Sequence, residues 1–92
     1  MIPVLVTTEY RGVFFGHINP EDIGNTTLTL VDARMCIYWS ADVKGFMGLA
    51  SKGPTPTCRI GHPATITLHK ITSVAAVTPD AAAEWRKGHW SE

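Results

Sequence analysis

Tyr38 and Trp39 stand side by side at the end of an alternating apolar run, Met35 to Trp39, and are followed at once by Ser40, Ala41 and Asp42. A serine and an acid at that spacing read as the N-cap and first-turn acid of a helix. The two rings are therefore delivered to a helix N-terminus, whose free N–H groups attract anions. A ring held out beside such a terminus can stack on a nucleobase. Arg34 from the preceding turn, Lys44 from the first helical turn and Arg59 from a later loop are the cations that would converge on a phosphate, and a guanidinium suits it by bidentate contact. His62, next to Pro63 on the same loop, is the histidine placed for proton transfer. The candidate ligand-binding set is thus Arg34, Tyr38, Trp39, Ser40, Lys44, Arg59 and His62. Alternation sends Tyr38 and Trp39 to opposite faces; Trp39 is expected in the core, with Tyr38 as the outward contact.

Other reactive side chains form no recognisable centre. Ser40 is explained by its capping role and has no nucleophile elbow around it. His17, His62, His69 and His89 together with Cys36 and Cys58 supply zinc-ligand types, but no pair has the spacing of a structural site. Glu21 and Asp22 sit in a turn as solvated charge. These residues point to a binding protein rather than an enzyme, with no metal and no cofactor.

Ninety-two residues make a single domain, 1–92, with 45% apolar and 17% charged residues, enough for one small core. Eight basic and eight acidic residues cancel, which removes the attraction that drives non-specific binding to nucleic acid. The opening Met1-Ile2-Pro3-Val4-Leu5-Val6 reads as a first strand rather than a signal peptide, and no apolar run is long enough for a membrane helix. Cys36 and Cys58, 22 positions apart, are expected as reduced thiols.

The elements that must position the candidate site follow from periodicity. Met1–Thr8 and Gly12–Ile18 read as a hairpin or one strongly bent strand. In the second run Val13, Phe15 and His17 face one way and Phe14, Gly16 and Ile18 the other, so both faces carry bulk. Asn19–Asn25 is a cluster of turn formers, Thr26–Val31 a strand with Leu28 and Leu30 inward, Asp32-Ala33-Arg34 a tight turn, and Met35–Trp39 a further strand. From Ala41 a helix places Val43, Phe46, Met47 and Ala50 on one face and ends at Gly53. Gly45 and Gly48 inside it suggest close packing against that helix. The stretch Gly53–Pro63 reads as a flap. Ala64–Val77 gives a strand, a bend near Thr72-Ser73 and a second short strand. Thr78 caps a last helix, Pro79–Lys87, with Gly88 beyond it. The predicted class is α+β, mainly β: a small bent antiparallel sheet, or an SH3- or Sm-like barrel, with one central helix and a short C-terminal helix. The run Tyr10–Gly16 followed by Thr29–Ala33 is similar to the second and third strands of Sm-like barrels.

Gly12-Val13-Phe14-Phe15-Gly16, Ala33-Arg34-Met35-Cys36-Ile37-Tyr38-Trp39-Ser40, Leu49-Ala50, Cys58, Thr67-Leu68 and Val77-Thr78-Pro79 together resemble a family of small uncharacterised phage and prophage proteins over nearly the whole chain. The resemblance implies an accessory protein made in the cytoplasm of a bacterial host, and it brings no established activity. On that basis the expected function is counter-defence, by sequestering a small anionic or nucleotide-like ligand in a homo-oligomer. One alternative is an inhibitor of a host defence protein, anchored by Phe14, Phe46, Trp85 and Trp90. The other is a structural virion component.

Overall fold

The structure, a computed structural model, describes residues 1–9, 12–39, 41 and 45–87. A run rich in β-branched residues forms β1 (Ile2–Thr8) and one that adds two phenylalanines forms β2 (Val13–Ile18), an antiparallel hairpin in register from Ile2↔Ile18 to Thr7↔Val13. As the alternation requires, both of its faces are packed: Val13 and Phe15 are buried on one and Ile18 on the other. A short 3₁₀ turn, Pro20–Asp22, leads into the next strand.

That strand, β3 (Leu28–Tyr38), is one element of 11 residues where the sequence suggests two strands joined by a turn at Asp32-Ala33-Arg34. Asp32 does adopt the left-handed conformation expected of a turn residue, with φ 53°. Its neighbours stay extended, however, and the chain absorbs the kink as a bulge. On one side Phe15↔Arg34 is followed by His17↔Val31; on the other Leu30↔Ile66 is followed by Ala33↔Ala64. Both ladders step three residues along β3 for two along the partner, so the extra residue bends the strand without ending it.

Beyond the bulge β3 pairs with β4 (Arg59–Ile60), and before it with β5 (Ala64–Leu68). His69 and Lys70 then turn a sharp corner, with Lys70 at φ 56°, into β6 (Ile71–Ala76), which pairs with β1. The break between the two strands is this earlier corner rather than the bend expected near Thr72-Ser73; at that expected place β6 carries a one-residue bulge, Thr72, between the pairs Thr7↔Ser73 and Thr8↔Ile71. The six strands run β4-β3-β2-β1-β6, with β5 also on β3. The sheet curls strongly but does not close. Once past the corner, β5 has its neighbour in β3 and β6 has its neighbour in β1, and no ladder joins β5 to β6 among the described residues. The bent-sheet reading therefore holds and the barrel reading does not.

The two faces of the curled sheet bury separate clusters. On one side lie Val4, Val6, Ile18, Leu28, Leu30, Ala33 and Leu68. On the other, two helices, α1 (Gly45–Ser51) and α2 (Pro79–Arg86), cover Leu5, Val13, Phe15, Cys36 and Ile60. In α1 the buried residues are Gly48, Leu49 and Ala50, while Met47 is 70% exposed and Phe46 packs at the margin. The apolar face is therefore rotated from the one expected through Met47; Val43 lies outside the described residues. Gly45 has φ 74° with open space around it, so it answers a conformational need rather than a close approach.

Gly53 ends α1 as the spacing predicts. At φ 83° its N–H donates to the carbonyls of Gly48 and Leu49, and a Cβ there would lie 2.8 Å from the Ala81 carbonyl oxygen of α2. Thr78 caps α2 as expected, its hydroxyl accepting from Ala81 N–H at 3.1 Å and donating to the Ser51 carbonyl at 2.7 Å. One side chain thus starts α2 and ties it to the end of α1. Trp85 locks the layer: it is fully buried, stacks on Phe15 with centroids 5.2 Å apart and planes 5° apart, and donates from Nε1 to the Leu49 carbonyl at 3.2 Å.

Candidate functional site

β3 leaves the sheet at the end where only two-residue β4 flanks it, and its last residues stand in solvent. Tyr38 is 53% and Trp39 36% exposed, and Met35 and Ile37 are exposed as well. Trp39 therefore does not enter the core. The core site for an indole is taken by Trp85, and β3 has outrun the layer that could cover its tip. Cys36 is the exception in this segment, buried beneath the helices in the cluster that contains Cys58. Met35 and Ile37 alternate with it onto the opposite side. There the segment after β4 lies alongside, with Gly61 N–H donating to the Met35 carbonyl at 2.9 Å.

Tyr38 and Arg59 are partners across the β3–β4 ladder, and Arg59 is exposed. A phenol ring and a guanidinium are thus brought together as the sequence suggested. His62 is exposed on the segment that follows. Arg34 is not part of this group. It faces Phe15 in register, only 6% exposed, and forms an ion pair with Asp32, Nη1 to Oδ2 at 3.3 Å. The reason is the bulge: Arg34 continues the strand instead of sitting at the tip of a turn, so its side chain folds against the sheet. Ser40 and Lys44 lie outside the described residues. The expected flap is also a packed segment, with Gly53, Pro54, Cys58 and Ile60 buried.

The anchors expected for a protein-binding surface are redistributed. Trp85 is core, Phe14 and Phe46 are half-buried, and Trp90 is outside the described residues. Met35, Ile37 and Met47 take their place as exposed apolar groups. Their sequence signal was the Met35-Ile37-Trp39 alternation, an apolar strand face that reads as core until the covering layer proves absent.

Cys36 and Cys58 are both buried free thiols. Burial, reinforced by the neighbouring Cys58, pushes the Cys36 thiol from 9.0 up to about 12, so it is neither a nucleophile nor a ready metal ligand at neutral pH. Among the described residues no group of three or more His, Cys, Asp or Glu is arranged to hold a metal ion. On the same helix-covered face of the sheet His17 Nδ1 meets the Val31 carbonyl at 3.1 Å and its Nε2 meets Arg86 Nη2 at 2.9 Å. This assigns the neutral tautomer with the proton on Nδ1, because the carbonyl accepts and the guanidinium donates. The pair fastens α2 to β2.

A second feature, unforeseen in the sequence, is an open cavity of about 300 Å³ between the turn 23–26 and β6, lined by Ile23, Asn25, Thr26, Ile71, Ser73 and Val74 among others. It carries hydroxyl and amide groups and no charge. No helix among the described residues is long and apolar enough to cross a membrane.

No curated protein and no solved structure matches the chain. A family model, the domain of unknown function DUF6948, matches residues 1–85, and the chain therefore belongs to the DUF6948 family.

Proposed function

We propose that this domain acts by binding, and that its contact surface is the free end of β3, offered to a partner protein. The supporting observation is the exposure of Met35, Ile37, Tyr38 and Trp39, four apolar side chains within five consecutive positions, beside the exposed Arg59. Tyr, Trp and Arg are the side chains that dominate binding energy at protein interfaces, and an apolar group concentrated at one strand end is what such an interface leaves behind when unoccupied. In the setting suggested by the resemblance to phage proteins, the partner is a host defence protein met in the bacterial cytoplasm. The test is capture from a bacterial lysate by wild-type protein and by a Tyr38→Ala/Trp39→Ala double variant. A stoichiometric partner retained by the first and lost by the second supports the reading; equal retention refutes it.

The Tyr38–Arg59 pairing favours one other ligand class, a nucleotide-like anion held by ring stacking and a guanidinium–phosphate contact. It ranks second because Arg34 is committed to Asp32 and buried, which removes one of the three expected phosphate contacts. Titration calorimetry against a panel of cyclic nucleotides, with Tyr38→Ala as control, decides it: absence of heat from every member removes this reading. Incorporation of the protein into purified particles would instead identify the third, a structural virion component.

A further inference from the structure

We infer that the partner met by the end of β3 presents an acidic surface, with carboxylates set around the sockets that take the apolar side chains. The inference rests on the reading of that strand end as a contact surface and adds the chemistry of what covers it. Arg59 is exposed, lies across the ladder from Tyr38, and takes part in none of the ion pairs among the described residues, which are Arg34–Asp32, Lys70–Glu9 and Lys87–Glu84. Residues directly opposite in a ladder are close neighbours, so a partner that buries Tyr38 covers the guanidinium as well. A cation taken out of water without a counter-charge is costly, whereas a carboxylate meets a guanidinium with two parallel hydrogen bonds. The exposed Met35, Ile37, Tyr38 and Trp39 supply the apolar contact, and Arg59 sets the sign of the charge that must accompany it.

The distribution of charge points the same way. Residues 12–32 carry three acids, Glu21, Asp22 and Asp32, and no lysine or arginine; residues 33–63 carry Arg34, Lys44, Lys52 and Arg59 against the single acid Asp42. The formal charge of zero is thus a sum of unlike segments. Glu21 and Asp22 stand on the 3₁₀ turn that feeds β3, and Arg59 stands beside its far end. Between them lie the 11 residues of the strand, which at about 3.3 Å each reach well beyond the roughly 10 Å over which 0.1 M salt screens a charge. The acidic turn therefore leaves the field at the tip uncancelled, and that field steers an anionic face toward it. Other occupants fit less well. Two copies meeting tip to tip would set one Arg59 against another. A nucleic acid would give the guanidinium a phosphate but has no use for Met35 and Ile37, on which a base does not stack.

The probe is a library of random dodecapeptides displayed on yeast and selected on the whole chain, followed by titration calorimetry with the synthetic consensus peptide. The expected consensus holds aromatic or leucine anchors flanked by aspartate or glutamate. Its binding is expected to weaken about threefold or more between roughly 50 and 500 mM salt. Arg59→Glu is expected to weaken it about tenfold or more and, in a fresh selection, to enrich lysine and arginine instead. Circular dichroism checks folding; Arg59→Gln, which drops the charge, serves if the glutamate variant is unfolded. Selected peptides with no acidic excess, or an affinity indifferent to salt and to Arg59 substitution, overturn the inference and leave the contact surface standing. So does tighter binding of an oligothymidylate of the same length, or a wild-type dimer that the peptide dissociates. No enrichment at all, or equal binding of the consensus peptide by the Tyr38→Ala/Trp39→Ala variant, removes the underlying reading and the inference with it.

Discussion

Replacing Trp85 by alanine tests whether one ring holds the helical layer to the sheet. The indole is fully buried and stacked on Phe15, so its removal loses the transfer energy of a large aromatic and leaves a cavity, about 3–5 kcal/mol by comparison with other buried aromatics. A domain of this length has roughly 5–14 kcal/mol of stability in total, so the variant gives up about a fifth of it or more and melts at least about 12 °C lower. Trp85→Phe separates the ring from its hydrogen bond. Phenylalanine keeps most of the stack and loses only the Nε1–H donated to Leu49, whose carbonyl retains a second donor in the Gly53 N–H at 3.1 Å. Because that acceptor is not orphaned, the cost of Trp85→Phe is about 1–2 kcal/mol. Urea denaturation followed by far-ultraviolet circular dichroism reads both variants, since the signal does not depend on the indole. Stability of Trp85→Ala within about 1 kcal/mol of the parent would refute the assignment of the ring as the lock. Equal losses in the two variants would place the energy in the hydrogen bond instead.

Two further perturbations have defined outcomes. Gly53→Ala places a Cβ at φ 83° and within 2.8 Å of the Ala81 carbonyl, whereas Gly24→Ala at φ 100° meets open space. Denaturation should therefore show a loss of about 1 kcal/mol at Gly24 from backbone strain alone and about 2–3 kcal/mol at Gly53 from strain plus clash; equal losses would remove the clash from the account. Cys36 retains its proton when folded up to about pH 12, while the unfolded thiol loses it near 9.0, so the folded state binds more protons in that window and stability must fall as pH rises through it. The slope approaches about 1.4 kcal/mol per pH unit, and Cys36→Ala should flatten the melting-temperature profile between those limits; an unchanged profile refutes the coupling.

What could be read from the sequence is what short-range chemistry dictates. Thr78-Pro79 starts a helix because a hydroxyl and a fixed φ suit that position whatever surrounds them, and Gly53 ends one for a similarly local reason. The alternation of β1, β2 and the first half of β3 gave their inward residues, Leu28 and Leu30 among them. Asp32 shows the limit. Its left-handed φ is a local property and was legible, but whether the chain reverses there or merely bends depends on β2 and β5 holding both sides of the strand, which is long-range. Arg34 was misplaced as a consequence of the same decision. The exchange of roles between Trp39 and Trp85 has a similar origin: both lie in apolar patterns, and only the extent of the helical layer decides which is covered. The ladder neighbours Tyr38 and Arg59 of the proposed surface were therefore among the residues singled out in the sequence, while Met35 and Ile37, which alternate like a core-facing strand, were not.

The bulged strand also governs how the molecule comes apart. Leu28, Leu30 and Ala33 wall one hydrophobic chamber and Cys36 the other, so a single continuous backbone is common to both. Loosening either chamber withdraws a wall from its neighbour, and two small interiors that would each be too weak alone must melt as one cooperative unit. Anything that grips the exposed tip of that strand thereby pulls on both.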